Sequence, residues 1–111
     1  MKLTEEYQNG ALRLGLEGEL DHHAAGELMR SAARVIERRQ PRRCVLDLGR
    51  VSFMDSSGVA LILNLDRRVG RLGGRLRVEN VPRQPLRVLD ASGIGRIIDI
   101  ADPKEEGPSR P

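Results

Sequence analysis

The stretch Phe53-Met54-Asp55-Ser56-Ser57-Gly58-Val59 lies where a strand-like run gives way to a helix-like one. Upstream, Cys44-Val45-Leu46-Asp47-Leu48 is short, apolar and rich in strand formers; downstream, Val59, Ile62, Leu63, Asp66 and Val69 follow helical spacing. Asp55, Ser56 and Ser57 are residue types that cap a helix by accepting a hydrogen bond from its unpaired N–H groups. Two serines exceed what one cap requires. Gly58 removes a side chain where another molecule's backbone or a phosphate can approach.

The same arrangement occurs one strand earlier. Ala11-Leu12-Arg13-Leu14-Gly15-Leu16 reads as a strand, Glu17-Gly18-Glu19-Leu20-Asp21-His22-His23 as its polar exit, and Leu28, Met29, Ala32, Val35 and Ile36 as the apolar stripe of the helix that follows. In an open α/β sheet the loops after the strands' carboxyl ends gather along one edge. Two polar strand-to-helix junctions are therefore expected side by side on one surface.

The rest of the chain extends this pattern. Strands are expected near residues 2–8, 11–18, 43–48, 74–80 and 97–100, and helices near 22–39, 57–71 and 84–92. Asn9-Gly10 predicts a tight hairpin between the first two strands, since a type I′ turn needs positive φ at both positions. The first pair is then antiparallel, and the later strand–helix–strand crossovers are parallel and right-handed. Gly73-Gly74 precedes Arg75-Leu76-Arg77-Val78-Glu79, whose alternation predicts a half-buried strand near the sheet edge. Pro82 and Pro85 suit the start of the third helix, and Gly93 its C-terminal stop with Ile94 following. The fold class is α/β: one domain over residues 1–101, with a mostly parallel sheet of about five strands, an N-terminal antiparallel hairpin and three helices. Residues 102–111, with three prolines and no large apolar residue, are expected to form a flexible tail.

At 111 residues there is room for one core, and a chain of this size buries roughly two-thirds of the surface its unfolded form exposes. Cys44 is the sole cysteine, so no intrachain disulfide forms, and its apolar strand predicts an inert buried thiol. No run approaches about 18 consecutive apolar residues, and Met1-Lys2-Leu3-Thr4-Glu5-Glu6 lacks a signal peptide's apolar region, so a cytosolic setting without membrane spanning is expected. The net charge of +3 comes mainly from arginine, including Arg30, Arg34, Arg38, Arg39, Arg42 and Arg43 along the first helix and its exit. Tyr7 and Phe53 are the only aromatics, which leaves no stacking platform for single strands, and no DNA-binding motif is recognisable. These arginines are read as a solvated helix face, with no direct nucleic-acid role.

Ser57, His22 or His23, and Asp21 or Asp55 supply the ingredients of a hydrolase triad. A nucleophile elbow, however, wants Gly-x-Ser-x-Gly, and Met54 and Asp55 occupy the places before the serines. His22 and His23 begin a helix, where the dipole disfavours the cation a general base must become. Adjacent histidines do not normally point the same way on a helix, so metal ligation is not expected either, and Glu19 with Asp21 makes only a partial hard-cation set. The residues read as a binding surface and not as a catalytic centre, with no cofactor.

The segments Gly18-Glu19-Leu20-Asp21-His22-His23, Phe53-Met54-Asp55-Ser56-Ser57-Gly58-Val59 and, more weakly, Leu89-Asp90-Ala91-Ser92-Gly93-Ile94 carry a resemblance to the STAS-domain anti-sigma factor antagonists, most closely those of the sporulation sigma-F type. The resemblance spans about Leu3 to Ile100. It implies phosphorylation of Ser57, the second serine of the Asp-Ser-Ser-Gly run, by a partner that is both anti-sigma factor and serine kinase and that uses its own ATP and magnesium. It also implies reversal by a 2C-type serine phosphatase. Glu19, Asp21, His22, Asp55, Ser56, Ser57 and Gly58 are then the partner-binding residues. Where that family often has a second glycine, this chain has Ala60, which suits a helix interior better. Other readings are a general-stress antagonist, a STAS-like subunit of a transporter or signalling assembly, and a small serine hydrolase.

Overall fold

The structure, a computed structural model, describes residues 1–101, so the expected tail over 102–111 lies outside the described residues. The chain forms β1 (Lys2–Gln8), β2 (Ala11–Leu20), α1 (His22–Arg39), β3 (Arg43–Met54), α2 (Ser56–Arg71), β4 (Arg75–Glu79), α3 (Arg83–Ser92), a short 3-10 turn (Ile94–Arg96) and β5 (Asp99–Ile100). Asn9 at φ 52° and Gly10 at φ 81° make the hairpin turn that joins β1 antiparallel to β2.

Strand order is β1-β2-β3-β4-β5, with every pair after the first parallel. Each helical crossover thus steps the same way across the sheet, and uniform right-handedness places all three helices on one face. Leu12, Leu14 and Leu16 of β2 and Leu46 and Leu48 of β3 alternate onto that face, where they meet Ile36 of α1, Ile62 and Leu65 of α2 and Leu89 of α3 in one buried cluster. Each such side chain contributes about 1.5–3 kcal/mol by leaving water. Truncating one, as in Leu14→Ala, opens a cavity and costs more, about 2–5 kcal/mol.

The other face of the sheet is polar. Arg13 on β2 donates to Asp47 of β3 at 2.9 Å and to Glu79 of β4 at 3.1 Å, tying three strands together. Partial burial opposes the Arg13 charge, but the two carboxylates outweigh it and raise its pKa. Burial likewise works against ionised Asp47, yet the Gly49 N–H, the Arg13 guanidinium and Asn80 hold its carboxyl below the usual range.

Several boundaries depart from the sequence expectation, those of β2, β4 and α3 by only one or two residues. β3 runs to Met54 where Leu48 was expected as its end, because β2 continues beside it to Leu20 and keeps pairing after two register shifts, between Gly15 and Glu17 and between Gly18 and Glu19. Both shifts set an extra residue on β3, which moves its buried positions from Leu48 to Val51 and then to Met54, while Leu20 keeps the alternation of Leu12, Leu14 and Leu16. Gly18, at φ 115°, lies at the second shift in a conformation open only to glycine without strain. The last strand shrinks from 97–100 to Asp99–Ile100, since Gly93 (φ 74°) leads into a tight turn over Ile94–Arg96 that buries Ile94 and Ile98. α2 begins at Ser56, one residue before the expected start.

Cys44 is 1% exposed, and burial pushes its thiol up to about 12. At pH 8 a thiol-specific chromogenic reagent should therefore react with the folded protein far more slowly than with a free cysteine, and at the free rate once denaturant is added. Immediate labelling in native buffer would contradict the packing of β3.

Candidate functional site

Leu20 and Met54 end neighbouring parallel strands as register partners, both fully buried. The next residues, Asp21 and Asp55, leave the sheet at adjacent places with extended backbones, φ −107° and −114°. Each then caps a helix. Asp21 accepts from the backbone N–H groups of His23 and Ala24, both at 3.0 Å, and Asp55 accepts from Ser57 N–H at 2.8 Å. Asp55 also reaches across: its second oxygen accepts from His22 N–H at 3.2 Å, and its own N–H donates to the Leu20 carbonyl at 3.3 Å. One carboxylate thus serves the start of both α1 and α2, and the two polar junctions meet as the sequence predicts. The Ala24 and His23 N–H groups, with the neighbouring histidines, outweigh desolvation and lower the Asp21 pKa. Asp21 therefore carries its negative charge throughout the neutral range.

Behind the loop, the Gln84 side chain accepts from Met54 N–H and donates to the Met54 carbonyl, both at 2.8 Å. The amide acts as a one-residue strand partner, locking the backbone that delivers Asp55. Gly58 is buried against the same methionine: a Cβ there would stand 2.5 Å from Met54 Cγ. The missing side chain thus lets the first turn of α2 close onto its own strand, so Gly58 shapes this surface from beneath.

The two serines lie on different sides of α2. Ser56, the first helical residue, is exposed at an open apolar groove between α2 and α3 lined by Val59, Leu63, Gln84, Val88 and Ala91. Half-buried Ser57 opens onto a depression of about 230 Å³ between α1 and α2, walled by Ala25, Gly26, Met29, Ala60, Leu61 and Asn64. Its N–H is held by Asp55, while its hydroxyl makes no hydrogen bond among the described residues. A free hydroxyl in the first turn of a helix is a competent phosphoryl acceptor, and a phosphate placed there meets the helix's positive end.

His22 and His23 are both exposed, and their rings lie 3.9 Å apart, tilted by 38°. The sequence expectation that they point apart is thus corrected: no preceding helical turn restricts their rotamers at this position. Among the described residues neither ring hydrogen-bonds to a carboxylate or to a serine, and no cluster of three or more His, Cys, Asp or Glu is gathered to hold a metal. Glu19 is exposed beside Phe53, its register partner on β3, itself 41% exposed. Phe53, quoted in the sequence only as part of the capping stretch, and Gln84 were not assigned to the site. An aromatic at a strand end reads as core until the extra residue of β3 between Val51 and Phe53 turns it outward, and nothing local marks a glutamine whose partner lies 30 positions away.

The model of the STAS domain family matches residues 3–107. The chain is 36% identical over 102 residues to the anti-sigma F factor antagonist of Paenibacillus polymyxa, covering 92% of this chain and 87% of that protein. It is 31% identical over 97 residues to the anti-sigma-B factor antagonist of Bacillus subtilis, covering 86% of each. Among solved structures it is similar to the anti-sigma factor antagonist SpoIIAA in its unphosphorylated form, with a TM-score of 0.75 and 29% identity over 95% of this chain and 92% of that one. The phosphorylated form of SpoIIAA from Bacillus superposes with a TM-score of 0.67, again at 29% identity, over 95% of this chain and 96% of that one.

If Asp55 serves two helices, Asp55→Ala should destabilise the protein by about 1–3 kcal/mol in urea denaturation, more than an ordinary cap loss, because two N–H groups lose their acceptor. Asp55→Asn, which keeps one acceptor oxygen, should fall between Asp55→Ala and wild type. An Asp55→Ala variant as stable as wild type would contradict the shared cap.

Proposed function

Because the chain belongs to the STAS domain family, we propose that it is a cytoplasmic anti-sigma factor antagonist that works as a phosphorylation-switched ligand and not as a catalyst. Unmodified, it docks on an anti-sigma factor that is also a serine kinase and frees the sigma factor held there. The docking edge comprises Glu19, Asp21, His22, Asp55, Ser56 and Ser57, with Gly58 beneath them. The kinase then directs the Ser57 hydroxyl at the γ-phosphorus of its own magnesium-bound ATP. The serine O–P bond forms, the bond to the ADP oxygen breaks, and a kinase base takes the hydroxyl proton. The phosphorylated product dissociates, and a 2C-type serine phosphatase hydrolyses the ester to restore the active form.

The observation that carries this reading is the unbonded Ser57 hydroxyl on an edge already rich in carboxylates, in a chain similar to antagonists of anti-sigma-F and anti-sigma-B factors. A phosphate adds about −1.5 to −2 charges beside Asp55, with Asp21 and Glu19 on the same edge. The start of α2 compensates that charge within the domain. The penalty then falls on the interface, through repulsion, desolvation and bulk. The run Gly18 through His23 favours a sporulation-type partner; a general-stress antagonist would share the switch and differ in the kinase captured.

Incubation with the cognate kinase, ATP and magnesium should add one phosphate to wild type and to Ser56→Ala, and none to Ser57→Ala, as read by intact-mass and peptide mass spectrometry. Neither serine side chain caps the helix, so both variants should remain within about 0.5 kcal/mol of wild type. Phosphate mapped to Ser56, or retained by Ser57→Ala, would overturn the assignment.

A further inference from the structure

Several arginines are used by the fold itself. Arg38 and Arg39 pair with Glu5 at 2.6 and 3.3 Å, Arg39 lies over the Tyr7 ring at 4.9 Å, and Arg68 pairs with Glu37 at 3.2 Å. A second group is not. Arg42, Arg43, Arg67, Arg71 and Arg75 are all exposed, and their side chains have no partner among the described residues.

These five come from different elements and meet at one pole. Arg42 N–H donates to Gly10 O at 2.8 Å, Arg75 N–H to Arg42 O at 3.0 Å, and Gly74 N–H back to Val69 O of α2 at 2.9 Å. Arg43 and Arg75 are register partners on β3 and β4. Like charges side by side on adjacent strands are unfavourable, as are Arg67 and Arg71 one helical turn apart. The C-terminal dipole of α2 compensates Arg71, in its last turn, but not the strand arginines. The pole lies where the parallel strands begin, opposite the strand ends that carry Ser57.

At its tip, the turn after α2 holds Leu72, 40% exposed, between Gly70 and Gly73, where an added Cβ would meet nothing within 4 Å. An apolar tip within a group of cations matches the interfacial layer of a membrane, which takes the leucine at headgroup depth and the charges on lipid phosphates. Arginine's planar fork suits phosphate in particular. Duplex nucleic acid would use the cations but has no use for the leucine, and single strands need aromatic platforms, of which only Tyr7 is near and Arg39 covers it.

We propose that this pole rests reversibly on an anionic phospholipid surface through Arg42, Arg43, Arg67, Arg71, Arg75 and Leu72. The Ser57 edge then faces away from the bilayer and stays open to protein partners.

Co-sedimentation with phosphatidylglycerol–phosphatidylcholine vesicles, against phosphatidylcholine alone, tests it. Wild type should bind the anionic vesicles at low salt and release at high salt. Arg43→Glu/Arg75→Glu should bind on the order of tenfold or more weakly, since each cation near the surface is worth about a fivefold change. Leu72→Ser should bind severalfold more weakly at unchanged charge, and Arg83→Glu, on α3 at the opposite end, should bind as wild type does. Unaltered melting curves establish that the variants are folded. No wild-type binding at low salt would overturn the proposal, as would equal loss in Arg83→Glu. Wild-type affinity in Leu72→Ser, with short duplex DNA displacing the vesicles, would assign the pole to nucleic acid instead.

Discussion

The Asp55 carboxylate terminates two helices at once. One oxygen takes the Ser57 N–H and the other the His22 N–H, while the Asp55 backbone is itself tied to Leu20. A helix start leaves several N–H groups unpaired, and satisfying two such starts from one side chain is possible only if the strands feeding them end level. The register pairing of Leu20 with Met54 supplies that condition, and the two extra residues that β3 carries against β2 supply the pairing. Behind the loop, Gln84 holds Met54 from both sides of its peptide, and Gly58 lets the turn close. Sheet register, helix packing and the placement of Ser57 therefore depend on one another.

The same arrangement bears on the proposed phosphorylation of Ser57. Ser57 is the second residue of α2, where free N–H groups and the helix dipole favour an anion. Its side chain opens onto a depression between α1 and α2, which leaves space for an added group. In the proposed switch, what the phosphate changes is the outside. It enlarges an acidic edge on which Asp21 is already held ionised by the start of α1. A partner selected by the unmodified edge then meets added charge, added volume and a strongly hydrated group.

Much of this was legible in the chain. Asn9-Gly10 fixes the hairpin, the alternation of Arg75 to Glu79 fixes β4, and capping residues after apolar runs place both junctions on one edge. What was not legible depends on contacts between distant positions. The continuation of β3 past Gly49 requires β2 to run alongside, and an apolar run interrupted by Gly49 and Arg50 carries no sign of it. Asp55 reads as a cap for α2 because that partner is two residues away; its bond to His22 spans 33 positions. Gly58 reads as an opening toward a partner until Met54 is seen filling the space. The arginines read as the face of one helix, whereas the structure separates Arg38 and Arg39, paired with Glu5, from Arg42 and Arg43, which join arginines of α2 and β4 where the parallel strands begin.

The central claim is that modification of Ser57 acts on the interface and leaves the domain folded. The direct measurement is a pair of thermal melts and a pair of calorimetric binding isotherms, with the kinase partner, on unmodified and stoichiometrically phosphorylated protein. The account predicts melting transitions that differ by no more than about 1 kcal/mol of stability, together with loss of measurable binding by the phosphorylated form. A cooperative loss of structure on phosphorylation, or equal affinity of the two forms for the partner, would contradict it.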